Sequence, residues 1–254
     1  MGRFVIIVSR SDYFLQINLS RKREFLRAEA LAFASHYNYD LRGCHILPLD
    51  KVVGLNSSEE TIEISEIKAD LELDLVTHEV KKFLLLLLKK NGYVLEQLYS
   101  PLVVKTTPEH RELKKIATGC ITRHHRHHYI GFAKSSRRLF NKSSVKKIKP
   151  LLYIYRVLLT GIHLMNTGIV EANLVELNQN FKLPYLDDLI AIKTEGREES
   201  AIEGGQIDFF LQECDRLEAV LENAATNSSL PEFPSAETKA RLNELLVRIR
   251  LQSI

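Results

Sequence analysis

The sequence predicts an α+β fold: a mixed sheet with flanking helices, followed by a C-terminal domain that is entirely helical. Segments that alternate apolar and polar residues, as half-buried strands do, all lie before Pro108. After Thr106-Thr107-Pro108 only helical spacing recurs. A chain of 254 residues with 45% hydrophobic content can also bury one large core or two modest ones. These observations divide the chain into an α/β domain over 1–108 and a helical domain over 109–254.

Phe4 to Val8 is a short apolar run suited to a buried strand, and Arg21 to Phe33 has helical spacing through Phe25, Leu26, Ala30 and Phe33. Tyr39 to Leu47 reads as a strand stopped by Pro48, which cannot donate to a ladder. Thr61 to Ile67 and Leu71 to Val76 read as a strand pair around a turn. Thr77 suits a helix cap, and Lys81 to Lys90 an apolar-rich helix ended by Asn91-Gly92. The helical half follows as His110 to Ile116, Arg123 to Phe140, Lys149 to Met165, Ile169 to Asn178, Pro184 to Lys193, Ile207 to Ala225 and Glu237 to Leu251. The Leu84 to Leu88 stripe reads as core.

A net charge of +3 is too weak to argue nucleic-acid binding, but the charge is unevenly placed. Residues 123–149 hold nine cations and no acid, whereas the stretch from Glu195 to Glu222 is acidic. Cys44, Cys120 and Cys214 are odd in number and far apart, which argues against a disulfide framework and for a reducing, cytoplasmic setting. No segment reads as a membrane span, and Phe83 to Leu88 is far too short.

Two segments carry chemistry. Along a strand, residues i and i+2 project to one side, so Asn38 shares a face with Asp40, and Glu72 with Asp74. Neighbouring strands bearing such pairs would converge oxygen ligands on a divalent ion. Magnesium prefers hard oxygen donors, which suits carboxylates rather than His or Cys. Glu72 is an auxiliary candidate, and Arg42 is expected on the strand face opposite Asp40 as a structural lock.

The run Tyr39-Asp40-Leu41-Arg42-Gly43 resembles polymerase-β-like nucleotidyltransferases, in particular a group of predicted members reading Ser-Asp-Tyr-Asp-Leu-Arg-Gly. Asp74 to Glu79, Asn91 to Glu96, Ser100-Pro101-Leu102, Thr122 to His125, Lys149 to Tyr153, Gly161 to Leu164 and Leu183-Pro184-Tyr185 extend the resemblance from about residue 36 to the end. It implies a two-Mg²⁺ site and an NTP substrate, with a nucleoside monophosphate passed to an acceptor hydroxyl on an RNA end, a protein or a small molecule. Asp40 and Asp74 would be the catalytic metal ligands, and Asp74 would help deprotonate the acceptor.

Two departures weaken that expectation. Asn38 replaces the first aspartate and offers one neutral carbonyl oxygen. The Gly-Ser turn that cradles phosphate in this group is also absent: Arg27, Ala28 and Ala32 stand at its glycine, serine and second glycine. Divergence into a non-catalytic nucleotide- or RNA-binding module accounts for this, a possible pseudoenzyme. A segment read in a shifted frame, with the family's frame restored near Tyr39, also accounts for it, and the abruptness of the change slightly favours this second explanation.

The basic stretch offers Lys134, Arg138, Lys149 and Arg156 as nucleotide- or phosphate-binding candidates, against the plainer reading of a solvated face. Arg156 and His163 share a helix face, with an ion pair to Glu171 as the structural alternative for Arg156. His124 and His128 have i, i+4 spacing, but no third ligand accompanies them and adjacent arginines disfavour zinc. The acidic helix over Ile207 to Ala225 is a candidate partner-docking element.

Overall fold

The computed structural model describes residues 4–9, 39–47, 49–55, 58–68, 71–193, 201–202 and 204–251. The expected helix over Arg21 to Phe33, the Arg27-Ala28 segment and Asn38 lie outside them.

Five strands form one mixed sheet: β1 (Phe4–Ser9), β2 (Tyr39–His45), β3 (Thr61–Lys68), β4 (Leu71–Glu79) and β5 (Val103–Lys105), in the order β3-β4-β2-β1-β5. β2 and β4 run parallel, and every other neighbouring pair is antiparallel. The expected hairpin is present, with Lys68 facing Leu71 across its turn. A short helix α1 (Leu49–Val53) follows β2.

Thr77 continues the strand instead of capping a helix. Gly43 pairs with Thr77 and His45 with Glu79, so the β2–β4 ladder extends two residues further. Glu79 is the cap of α2 (Val80–Leu88), its Oε2 accepting from the Lys81 N–H at 2.8 Å. Asn91 likewise starts a helix: its Oδ1 accepts from the Tyr93 and Val94 N–H groups and opens α3 (Gly92–Tyr99). Of the leucine stripe, Leu84 and Leu87 are buried and Leu85 is exposed.

The remaining helices are α4 (Pro108–Ala117), α5 (Arg126–Lys142), α6 (Ile148–Thr167), α7 (Leu174–Phe181), α8 (Pro184–Ile192), α9 (Gly204–Thr226) and α10 (Ala236–Leu251). A 3₁₀ turn over Arg123–His125 precedes α5, so that helix begins three residues later than its spacing suggests. Residues 169–173 are not helical, and Asn173 caps α7.

The chain forms two compact units, residues 1–120 with 234–254, and residues 121–233. Where the composition change suggested a division at 108, the break falls after Cys120, because α4 packs on β1 and on α10. The C-terminal helix α10 therefore belongs with the sheet. Leu41, Phe83, Leu87, Leu95 and Leu98 are buried in this unit, as are Leu242, Leu245 and Ile249 of α10.

The second unit is organised around α6, which packs on α5, α7, α8 and α9 and buries 13 of its 20 residues. α6 is long and apolar enough to cross a membrane by length and composition, but 72% of its most apolar window is buried within the protein, as for a core helix. Gly161 permits the close approach of its neighbours: a Cβ there would lie 2.9 Å from Leu221 and from Tyr129. Gly168, at φ 69°, ends the helix in the left-handed conformation. All three cysteines are free and buried, and burial pushes the Cys120 thiol up to about 11 and that of Cys214 to about 12.

Candidate active site and the helical surfaces

The parallel pairing of β2 with β4 sets Tyr39 opposite Leu73, Asp40 opposite Asp74 and Leu41 opposite Leu75. Positions in register on neighbouring strands share a sheet face, so the two carboxylate positions are adjacent on one face. Glu72, two residues before Asp74, belongs to that face. Position 74 is flanked on its other side by Ser65 of β3. Arg42 also shares the face of Asp40, since the two are i and i+2; the expected opposite placement does not hold. Its guanidinium donates to the Leu41 carbonyl at 3.0 Å.

The far end of the same strand pair is a buried polar knot. Nδ1 of His45 is 3.0 Å from the Thr77 hydroxyl, and both residues are almost fully buried. The Glu79 carboxylate pairs with Arg250 of α10, which also donates to the Leu47 carbonyl at 3.1 Å. Burial, then the charges of His78 and Arg250, lower His45 to about 4 and keep it neutral. His78 is lowered by burial and then by Lys82.

In the second unit the basic and acidic stretches meet each other. Arg126 of α5 forms an ion pair with Glu222 at 3.2 Å, Lys134 pairs with Glu218 at 2.6 Å, and Arg137 forms a two-pronged pair with Asp215. The Arg137 hydrogen bonds hold the Asp215 carboxyl below the usual range. Lys134, a phosphate candidate by sequence, is thus engaged by α9, and the acids of α9 face α5. The signal was in the spacing: Asp215, Glu218 and Glu222 share one helical face, as do Lys134 and Arg137.

Arg138 is exposed and lines the open groove between these helices, and Lys149 is exposed at the start of α6. Arg156 is half-buried, its guanidinium 4.9 Å from the centre of the Tyr153 ring. Glu171 accepts from the Asn173 N–H at 2.6 Å. The His124 ring stacks with that of His127 at 5.7 Å. No group of three or more His, Cys, Asp or Glu is placed to hold a metal among the described residues.

A family model described as RlaP, the RNA repair pathway DNA polymerase beta family, matches residues 32–248. This chain belongs to that family. The matched range begins at Ala32, so Arg27 and Ala28 of the degenerate phosphate turn precede it. An uncharacterized protein of Methanocaldococcus jannaschii is 28% identical over 219 residues, covering 85% of this chain and 88% of the relative. A nucleotidyltransferase-like protein from Exiguobacterium sibiricum overlays 98% of this chain and 74% of its own at 11% identity, with a TM-score of 0.28, below the level of a shared fold.

Polymerase-β-like families of this kind act on nucleotides with divalent metals. The donor types at the registered positions of β2 and β4, two carboxylates, match the hard-oxygen chemistry of Mg²⁺. Sequence reasoning missed the Glu79–Arg250 pair, whose partners stand 171 residues apart with no local signature.

Proposed function

We propose that this chain is built for metal-dependent transfer of a nucleoside monophosphate from NTP to an acceptor hydroxyl, in a form weakened at Asn38 and at the Gly-Ser turn. The observation that carries the reading is the parallel register of Asp40 with Asp74, which makes two carboxylate positions neighbours on one sheet face. The family's description supports an RNA end as the acceptor.

Asp40 and Asp74 would hold Mg²⁺, with the amide oxygen of Asn38 as a poorer third donor. When bound, the metal stabilises the attacking and leaving oxygens of an in-line displacement. Asp74 takes the proton of the acceptor hydroxyl as its oxygen bonds to the α-phosphorus. The bond to the β-phosphate bridging oxygen breaks, and pyrophosphate leaves with the electron pair. Arg138, Lys149 and Arg156 remain proposed phosphate contacts; Lys134 would contribute only on releasing Glu218.

Asp74→Ala is expected to weaken Mg²⁺-dependent ATP binding while leaving the melting temperature nearly unchanged. A large loss of melting temperature with unaltered nucleotide affinity would sink the metal assignment.

Asn38 and the missing Gly-Ser turn favour a second reading, a module that binds nucleotide or RNA without turnover. Titration with Mg²⁺ and ATP separates the two, since only an enzyme releases pyrophosphate. The chain as written should release little. The combined repair Arg27→Gly, Ala28→Ser, Asn38→Asp should raise release, and failure of the repaired chain to do so favours the binding module.

A further inference from the structure

No Asp or Glu occurs between Glu112 and Glu171, so neither α5 nor α6 contains a carboxylate. The helix α5 has two partly exposed sides. Arg126, Lys134 and Arg137 lie against the acids of α9. His128 and Phe132 point roughly 180° away from these at 3.6 residues per turn. On α6, an otherwise buried helix, the half-buried residues Tyr153, Arg156 and His163 fall within about 80° of one another, again without an acid.

These two lines meet. The His128 and Phe132 rings are nearly parallel, at 10° and 6.3 Å between centres. Phe132 meets Tyr153 edge-on at 5.3 Å, and the Arg156 guanidinium sits 4.9 Å from the centre of the Tyr153 ring. Three rings and a cation thus run across α5 and α6, half-exposed.

We propose that His128, Phe132, Tyr153 and Arg156 form a stacking surface for the unpaired end of a single-stranded RNA. The inference rests on the reading above that the acceptor is an RNA end. Every base presents a π-face to an aromatic ring, and a guanidinium adds cation–π attraction and a phosphate contact. A mononucleotide needs one ring, whereas a run of rings suits successive bases of a strand.

The test is fluorescence anisotropy on the full chain with a labelled single-stranded RNA of about 12 nucleotides, within the usual span of such sites. NTP and Mg²⁺ are left out. Phe132→Leu and Tyr153→Leu should each weaken binding by about 5- to 150-fold, the range for losing one stacked base. Arg156→Gln should weaken it and flatten its salt dependence. Arg216→Gln, which removes a pairing with Glu213 and Tyr185, should change nothing.

Ring variants that bind like the parent overturn the proposal. So does a parent chain that ignores RNA, prefers single-stranded DNA, or takes ATP as tightly as the strand. Where a leucine variant folds poorly, 4-thiouridine RNA is crosslinked to the parent chain: adducts on the peptides holding Phe132 or Tyr153 support the surface, and adducts only elsewhere refute it. RNA held on the rings without pyrophosphate release removes the transferase reading but keeps this one. Transfer that is indifferent to ring removal does the reverse.

Discussion

Helix α10 in the first unit and helix α9 in the second are both held by pairs between basic and acidic side chains, but the two sets lie in different surroundings. Arg250 and Glu79 are 11% and 4% exposed at the side chain, with Arg248–Glu112 as an outlying exposed pair. The three α5–α9 pairs lie along an open groove, and Glu222 and Asp215 are more than half exposed. Removal of the Arg126 or Arg137 guanidinium leaves a partner carboxylate that water reaches. Loss of the Arg250 guanidinium leaves a buried carboxylate that water does not reach. The same chemistry therefore has strong consequences in one unit and weak ones in the other.

The largest expected effect is that of Arg250→Met, which should cost about 3–5 kcal/mol in denaturant unfolding. The double variant Glu79→Gln, Arg250→Met should recover part of that loss, because no unpaired charge remains. Equal losses in the single and double variants would show that α10 is held by its apolar face alone.

Acid should act on the same knot. His45 is lowered in the folded chain to about 4 from an ordinary 6.5, so the unfolded chain binds more protons between those values. Stability is fully present above pH 6.5 and is lost as the pH falls towards 4, by about 3 kcal/mol for this histidine. His45→Gln should flatten the melting temperature against pH across that window; an unchanged slope would assign the effect to other groups.

In the second unit, Gly161→Ala forces a Cβ to within 2.9 Å of Leu221 and Tyr129 and should cost about 1–3 kcal/mol. The smallest effects belong to the groove. Arg126→Gln or Arg137→Gln should each cost about 0.2–1 kcal/mol, shrinking further in high salt. A groove variant as damaging as Arg250→Met would abolish the contrast between the units.

The parts legible in the sequence were those fixed by neighbours along the chain. The alternation through Tyr39 to His45 and Leu71 to Val76 fixed the strands, and the shared motif suggested that Asp40 and Asp74 belong together; the register sets them side by side. Illegible parts depended on distant residues. Thr77 carries a capping side chain, yet its hydroxyl is engaged by His45 from another strand, and the cap falls to Glu79. The cations over 123–149 read as a candidate phosphate path until the acids of α9 were set opposite three of them. Nothing within α10 states which core it joins, since Leu242, Leu245 and Ile249 would suit either.

The return of residues 234–254 to the sheet has a consequence for synthesis. The second unit occupies one unbroken stretch, so it can complete its core while the ribosome still holds the remainder of the chain. The first unit cannot: its strands are made before the second unit, but Glu79 gains Arg250 only after the whole of that unit has been synthesised. The unit begun first is therefore the last to mature, and a chain cut short before residue 234 would leave the sheet without α10 while sparing the helices made just before it.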